Sequence, residues 1–450
     1  ESERIEGGFL AELLSFSMDN HLVKLNTDSW ASGAIRLADI LDRSGKPKEA
    51  ATWLRRMLAE FDSDKSDKWQ RLRDRLAALQ KEHPELTLIE EAGAKFDCKP
   101  ALVIASDDQR LAAVGLANAR FRRLVLLEKG KAIVYSSGDE YGVIRLSSGD
   151  GATPTIQPAR ITLGLLSNKG WINEENDRGP AVTARGKDIY AGFIHAGLLV
   201  FKQDGQIRHM NESNGLAYDR IRSLEYLGNK LYAIIGAMTE DSGLMEVDPD
   251  TGASRILAST KSEDRKVEIS GKHLSGIAAD PVRGILWVLT AYDASGKGGV
   301  WPELYGYRPE RSLFERIGND ALNRLIKSNN IGDTAQSLRR YGDSLLIWTG
   351  GGLGQYEIAS SRATDLFRDT WRFPRDFNSR QCVLTSDGLV STALGQLAVF
   401  QRRTKDPFLI PNTFFSKALN GKLEVRDLVL DKAGLYVLTP NALYLIPQIQ

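Results

Sequence analysis

The chain has 450 residues, of which 42% are hydrophobic and 26% charged, and its 59 basic and 58 acidic residues give a formal net charge of +1. Such a composition is typical of a soluble globular protein. The charge balance argues against nucleic acid and anionic membranes as partners, because both favour a clear basic excess. No apolar run approaches the ~20 residues of a membrane-spanning helix, so we expect no direct membrane insertion.

The first 85 residues have the apolar spacing of α-helices. Helices are predicted from Trp30, capped by Asp28 or Ser29, to about Leu41, from Lys48 to Phe61 and from Asp67 to Lys81. Residues 31–61 resemble one tetratricopeptide (TPR) hairpin through Leu37-Ala38, Gly45, Glu49-Ala50 and Leu54. One such hairpin cannot bury its own apolar face, so it either caps the next domain or belongs to a peptide-binding array.

Residues 86–120 are predicted to form a linker. Within it, Leu86–Glu90 and Ala101–Ala105 are strand-like, and Asp107–Ala119 fits either a helix or a pair of strands. The two cysteines, Cys98 and Cys382, form no redox or metal-binding motif. They are predicted to be buried thiols, with a disulfide between them as the alternative.

A repeating unit begins after residue 120 and is clearest from Asn214 to Thr251. Strands are predicted in it at Ile221–Tyr226, Lys230–Ile235, Gly243–Val247 and near Ser254–Leu257. Four short strands joined by tight turns form an antiparallel sheet with two apolar faces, which cannot stand alone. Copies of the sheet must therefore stack face to face, as they do in a β-propeller.

Seven such units are predicted at spacings of roughly 40 to 60 residues, which is the range of propeller repeats. The last, from Val425, offers only three strands, so we expect the ring to close with Ala101–Ala105 or Leu86–Glu90 as the fourth. The predicted fold is mainly β: a seven-bladed β-propeller, with six or eight blades left open, after a small N-terminal α-helical segment. The predicted domains are residues 1–85, 86–120 and 121–450.

The repeat resembles the bacterial two-component-regulator propeller repeat, among the WD40-like and YVTN-like repeats. The resemblance is carried by NGLAYDRIRSLEYLGNKLYAIIG followed by SGLMEVDPDTG, and by LLIWTGGGLGQYE at Leu345–Glu357. It implies a bacterial protein with an extracytoplasmic sensing or interaction region, in the periplasm or secreted. It implies no particular ligand, because propellers host many functions.

Recognisable catalytic motifs are missing from the sequence. It has no dinucleotide-binding glycine motif, no P-loop, no Gly-x-Ser-x-Gly elbow and no His-Glu-x-x-His pair. The histidines lack metal-ligand spacing: His21, His83, His195, His209 and His273. We therefore expect no cofactor and no metal, and assign no catalytic residue.

The candidate binding residues are aromatic. The loops between second and third strands, and those between blades, gather on one face of a propeller, and three predicted loops of that face carry a tryptophan. An exposed tryptophan offers a large contact area for a protein or sugar. The alternative is that each tryptophan folds inward. The candidate set is Trp171, Asn173, His195, Trp301, Trp371, Arg372 and Arg375.

The favoured hypothesis is a non-enzymatic module that binds a protein, peptide or glycan on this loop-rich face, within a larger protein or assembly. The alternative is a propeller-type lyase or glycoside hydrolase, with carboxylates and His195 at the central channel. A third hypothesis is a structural subunit that contacts its partners through the N-terminal helices.

Overall fold

The structure is a computed structural model. It describes residues 27–60, 67–83, 100–113, 119–137, 140–146, 154–159, 180–194, 196–236, 242–260, 272–290, 302–318, 337–349, 352–367, 382–385, 388–393, 396–401, 408–410 and 423–447, with single residues at 10, 14, 116, 269, 320, 322 and 415. The chain divides into two compact units, one of residues 1–103 with 371–450 and one of residues 104–370.

Three helices of the first unit pack around one core: α1 (Thr27–Arg43), α2 (Pro47–Glu60) and α3 (Asp67–Glu82). Leu37, Leu54 and Met57 are fully buried there. Helix α1 begins at Thr27, so Asp28 and Ser29 lie in its first turn, and the predicted start at Trp30 was wrong by three residues. The TPR-like character of the pair α1–α2 stays a resemblance.

The segment predicted as either helix or strands contains a helix, α4 (Gln109–Ala112). The side chain of Asp108 caps it by accepting a hydrogen bond from the N–H of Arg110 at 2.9 Å. An aspartate in this position satisfies an N–H group that a helix of one turn leaves without a partner. The other strand-like segment, Leu86–Glu90, lies outside the described residues.

The second unit contains five four-stranded antiparallel sheets, each with its strands in chain order. Sheet 1 has β2 (Arg120–Leu126), β3 (Lys131–Ser137), β4 (Glu140–Leu146) and β5 (Thr155–Ala159). Sheet 2 has β6 (Ala181–Arg185), β7 (Asp188–Phe193), β8 (Gly197–Phe201) and β9 (Ile207–Met210). Sheet 3 has β10 (Ile221–Leu227), β11 (Lys230–Ile235), β12 (Gly243–Val247) and β13 (Ser254–Ser259).

Sheets 4 and 5 complete this unit. Sheet 4 has β14 (Leu274–Asp280), β15 (Ile285–Thr290), β16 (Leu304–Arg308) and β17 (Leu313–Arg316). Sheet 5 has β18 (Ser337–Tyr341), β19 (Ser344–Thr349), β20 (Gly352–Glu357) and β21 (Arg362–Phe367). The four strands predicted for sheet 3 are confirmed to within two residues at each end.

Neighbouring sheets of this unit share cores of large apolar side chains. Tyr232 of sheet 3 and Tyr307 of sheet 4 meet edge to face, with ring centroids 5.9 Å apart, in the core between those sheets. Trp287 is buried in the core shared by sheets 4 and 5. Stacking therefore hides the two apolar faces that one sheet could not hide alone.

Two more four-stranded sheets contain strands of the first unit. Sheet 6 has β22 (Cys382–Leu384), β23 (Gly388–Ala393), β24 (Gln396–Gln401) and β25 (Phe408–Ile410). Sheet 7 has β26 (Asp427–Asp431), β27 (Gly434–Leu438) and β28 (Ala442–Ile446), and its fourth strand is β1 (Ala101–Ala105), next to β28. Cys382 is buried, as predicted, and Cys98 lies outside the described residues.

The fold is a mainly-β propeller fold with a small helical segment. Its described residues form seven four-stranded sheets. The number of blades in a closed ring stays a prediction, as do the domain boundaries at residues 85 and 120. Within the described ranges, none of the helices has the length and apolar character needed to cross a membrane.

Candidate functional site

All seven predicted site residues lie outside the described residues: Trp171, Asn173, His195, Trp301, Trp371, Arg372 and Arg375. Their binding role stays a prediction. What the structure describes is the set of strand ends from which several of these loops depart. In an antiparallel sheet, the turn between the second and third strands and the links to neighbouring sheets leave from the same end of the strands. We call this end of sheets 1–5 the linker face, and the end with the other two turns the hairpin face.

A group of charged side chains lies on the linker face of sheet 4, and we call Lys272, Glu303, Tyr305 and Arg316 the Glu303 cluster. Lys272 Nζ donates to both Glu303 Oε2 and the Tyr305 hydroxyl. The Tyr305 hydroxyl donates to Glu303 Oε2 at 2.5 Å, and Arg316 Nη2 lies 2.6 Å from Glu303 Oε1. One carboxylate is thus held by two cations and a phenol.

The environment of Glu303 fixes its charge. Burial alone would raise the pKa of Glu303, but hydrogen bonds from Lys272 and Tyr305 and the charges of Lys272 and Arg316 outweigh burial and lower it. The carboxylate therefore stays ionised near neutral pH. With two cations to one carboxylate, the cluster carries one net positive charge, and the side chains of Lys272 and Arg316 are 24% and 48% exposed.

Main-chain hydrogen bonds fix Glu303 at the base of the long insert of sheet 4. Its N–H donates to Thr290 Oγ1 at 2.8 Å, and its carbonyl accepts from the N–H of Thr290 at 2.9 Å. Thr290 and Glu303 thereby bring together the ends of the insert that contains Trp301. Tyr305 lies within the strand Leu304–Arg308, and Glu303 is the residue directly before that strand.

A bulge in the first strand of sheet 3 provides a further link between sheets on the linker face. The ladder between β10 and β11 skips Arg222, which forms a β-bulge, and sheets 1 and 4 have bulges at Arg122 and Ser275 in the same register. A bulge re-aims the side chain of its extra residue. Arg222 Nη2 donates to Ser242 Oγ at 3.1 Å and to the carbonyl of Leu274 at 2.9 Å, and so links sheet 3 to sheet 4 beside the Glu303 cluster.

The link between sheets 2 and 3 holds two carboxylates close together. The N–H of Glu212 donates to Asp219 Oδ1 at 2.6 Å, and the N–H of Asp219 donates to Glu212 Oε1 at 3.1 Å. Burial, and then the charge of Glu212, raise the pKa of Asp219. His209 lies on the outer strand of sheet 2, and its Nε2 donates to the carbonyl of Ala196 at 2.6 Å. Both acids therefore act as hydrogen-bond acceptors that shape the link.

The Asn-Gly-Leu opening of the repeat has a structural role in the same link. Asn214 Oδ1 accepts from the N–H of Asn211 at 2.7 Å, which caps the 3₁₀ turn Glu212–Asn214. Gly215 follows with a φ of +125°, a backbone conformation that side chains other than glycine's rarely adopt. Leu216 is then buried between sheets 2 and 3.

Sequence reasoning missed the Glu303 cluster. Lys272 and Glu303 are 31 residues apart, and which of the many charged residues converge depends on how the strands are aligned in space. One signal was present in the sequence. Lys272 lies two positions before the strand that begins at Leu274 and Glu303 one position before the strand that begins at Leu304, and both strands begin on the linker face.

No protein-family model matches the chain, and no curated protein matches it. Among solved structures it is similar to the extracellular domain of the B. thetaiotaomicron protein BT4673, at 14% identity and a TM-score of 0.43, over 73% of this chain and 38% of that one. It is similar to the WD40 domain of Toxoplasma gondii coronin, at 10% identity and a TM-score of 0.42, over 74% and 84% of the two chains. It is also similar to the β-propeller domain of Myceliophteria thermophila Cps50 (Swd1), at 10% identity and a TM-score of 0.45, over 73% and 97%.

Similarity at these identities concerns the fold and extends to no partner, reaction or location. The chain covers 38% of the length of the BT4673 domain, so that protein contains much that has no counterpart here. The likeness to the two-component-regulator propeller repeat stays a resemblance, and the extracytoplasmic location stays a prediction.

Proposed function

We propose that the chain is a non-enzymatic binding module, which binds a protein, peptide or glycan partner through the linker face of its propeller. The observation that carries this proposal is the Glu303 cluster. Two cations share one carboxylate, and both remain partly exposed at the base of the loop that contains Trp301. A net positive charge beside a predicted tryptophan suits a partner that offers an acidic group and an apolar surface.

The state of Glu303 supports binding over catalysis at this place. A general acid needs a pKa raised towards neutrality, whereas the cations and the phenol lower the pKa of Glu303. The lysine and the arginine are in turn occupied by that carboxylate. The cluster is therefore suited to hold a fixed charge rather than to move a proton.

A capture experiment tests the proposal. The full chain is immobilised, and partners are captured from extract of the cells that produce it. We expect Arg316→Gln to reduce recovery of the specific partner at least ~10-fold, as loss of a charge-assisted contact does at a desolvated interface. Arg362→Gln is the matched control, because Arg362 is exposed on the hairpin face of sheet 5. Equal recovery by the wild-type chain and Arg316→Gln would refute the proposal.

The second candidate function is a propeller-type lyase or glycoside hydrolase. It is favoured by the pKa of Asp219, which burial raises, since the general acid of such an enzyme is a carboxyl group with a raised pKa. The main-chain hydrogen bonds that Asp219 and Glu212 both accept favour a structural role instead. Depolymerisation of polysaccharides by the wild-type chain, lost in Asp219→Asn, would establish the enzyme.

The strand Ala101–Ala105 in sheet 7 supports a further proposal about the fold itself. It gives the final sheet its fourth strand from an early part of the chain. We propose that this strand completes the last blade of the propeller.

A further inference from the structure

Two arginines occupy the same place in sheets 2 and 3. Each is the second residue of the outer strand: Arg208 lies opposite Val200, and Arg255 opposite Glu246. Val200 and Glu246 are themselves equivalent, because each is the fourth residue of the third strand. The two sheets therefore allow a direct comparison of what each arginine does at the junction with the next sheet.

Arg208 links sheet 2 to sheet 3 by hydrogen bonds. Its Nη1 donates to the carbonyl oxygen of Asp250, and its Nη2 donates to the carbonyl oxygen of Thr251, both at 2.6 Å, in the turn of sheet 3. Gly252 makes room for the guanidinium, since a Cβ there would lie 2.7 Å from Arg208 Nη2. The outer edge of the guanidinium thus binds two successive main-chain carbonyls.

Arg255 instead binds a residue of its own sheet. Its Nε and Nη2 donate to Glu246 at 3.0 and 3.3 Å, so the inner edge of the guanidinium is held on its own sheet. Sheet 2 has Val200 in that position, which has no carboxylate to hold Arg208. The Arg255 side chain is 59% exposed, and no described residue accepts a hydrogen bond from its Nη1.

The space that results is a cleft of about 440 Å³ on the hairpin face, between sheets 3 and 4. Its walls include Tyr232, and its rim is formed by the turn at Asn229 and by Pro281, Gly284 and Pro309. Val282, between Pro281 and Gly284, is 79% exposed, the highest value among the large hydrophobic residues that the structure describes. Val282 thus follows a rim residue directly in the chain, and the cleft itself contains the exposed Arg255 guanidinium.

We propose that this cleft binds a peptide segment of a partner protein, and that Arg255 binds two successive main-chain carbonyls of the segment. The turn at residues 250–251 already presents this arrangement to Arg208. The lining charges favour an uncharged main chain, because two cations, Lys230 and Arg255, balance two carboxylates, Glu246 and Glu310. The site lies on the hairpin face and is separate from the linker-face function proposed above.

Disulfide tethering tests the proposal with a defined probe. The probe is a neutral copy of the turn that carries a thiol on its N-terminal cap, 3-mercaptopropionyl-Asn-Pro-Asn-Thr-Gly-amide, coupled through a disulfide to Asn229→Cys in the full chain. Asn229 is exposed at the rim, and a short linker gives a local concentration in the millimolar range. The readout is the reductant concentration that releases half of the probe, followed by intact-mass spectrometry. The unsubstituted chain corrects for reaction at native cysteines.

We expect the reductant concentration that releases half of the turn probe to be at least ~5-fold higher for Asn229→Cys than for the double variant Asn229→Cys, Arg255→Gln. A ~5-fold ratio corresponds to a contact of about 1 kcal/mol. A Glu-Glu-Glu probe should show no such difference. Equal release of the turn probe with and without Arg255 would overturn the proposal. So would retention of the acidic probe alone, which would indicate an anion site instead.

Discussion

Arg208, on the outer strand of sheet 2, donates from Nη2 to the main-chain carbonyl oxygen of Thr251 in the turn of sheet 3, at 2.6 Å. A second bond from its Nη1 reaches the carbonyl of Asp250. The pair joins two sheets through residues more than 40 positions apart, so it reports on stacking rather than on either sheet alone.

Arg208→Gln is expected to lower the free energy of unfolding by about 1 kcal/mol, because two charge-assisted bonds are lost at a partly exposed junction. Arg255→Gln is the matched control, and its exposed ion pair with Glu246 should contribute at most about 0.5–1 kcal/mol. Urea unfolding followed by tryptophan fluorescence measures both. A larger loss of unfolding free energy for Arg255→Gln than for Arg208→Gln would contradict the conclusion that Arg208 joins two sheets and Arg255 does not.

Gly252→Ala is expected to destabilise the protein more than Gly205→Ala. Both glycines lie in the last turn of their sheets with positive φ, +83° and +92°, so both substitutions carry a backbone cost of about 1 kcal/mol. Only at Gly252 does the added Cβ also crowd Arg208 Nη2, at 2.7 Å, whereas nothing lies within 4 Å at Gly205. Thermal unfolding of the two variants measures the difference, and equal losses would show that Arg208 can move aside without cost.

Tyr232→Phe should lower the stability of the protein, whereas Tyr190→Phe should not. The two tyrosines are equivalent in register, since Tyr190 lies opposite Val200 and Tyr232 opposite Glu246. The buried Tyr190 hydroxyl has no hydrogen-bond partner among the described residues, so its removal should be neutral or stabilising. Removal of the Tyr232 hydroxyl, which donates to Glu246 at 3.2 Å, should cost about 0.5–1 kcal/mol. Urea midpoints that shift in the same direction would contradict this reading.

Protonation of Asp248 should lower the stability of the protein in acid. A hydrogen bond from Lys230 Nζ, at 2.6 Å, followed by main-chain bonds from Thr251 and Asp250, lowers the pKa of Asp248 below its unfolded value of about 3.9. A group whose pKa is lower in the folded state stabilises the fold above the unfolded pKa, and that contribution is lost as pH falls through the folded pKa. Asp248→Asn should therefore have a lower free energy of unfolding than wild type at pH 6. The difference between the two should shrink as the pH falls below about 4. Urea unfolding at several pH values measures this difference, and a difference that stays constant from pH 6 to pH 2.5 would contradict the prediction.

The strands of sheet 3 could be predicted because their chemistry is local. The strand Lys230–Ile235 was predicted with its observed bounds, since a Gly-Asn turn precedes it and an unbroken apolar run fills it. The start of helix α1 was placed too late because Thr27, Asp28 and Ser29 are all good capping residues, and local preference does not choose among them.

The charged contacts could not be predicted in the same way. Whether an arginine reaches across a junction, as Arg208 does, or folds back, as Arg255 does, depends on the residue opposite it on the neighbouring strand. That residue is Val200 in one case and Glu246 in the other, and neither is adjacent in sequence. The predicted tryptophan loops lie outside the described residues, so the sequence remains the basis for their role.

Site-specific photo-crosslinking tests the central claim, partner binding on the linker face, most directly. A benzoylphenylalanine at Gly318, beside Arg316, has open space because nothing lies within 4 Å of an added Cβ, and one at Lys129 in the first turn of sheet 1 serves as the hairpin-face control. The account predicts a crosslink to the captured partner from position 318 that Arg316→Gln abolishes, and none from position 129. Crosslinking from position 129 alone, or crosslinking from position 318 that persists in Arg316→Gln, would contradict it.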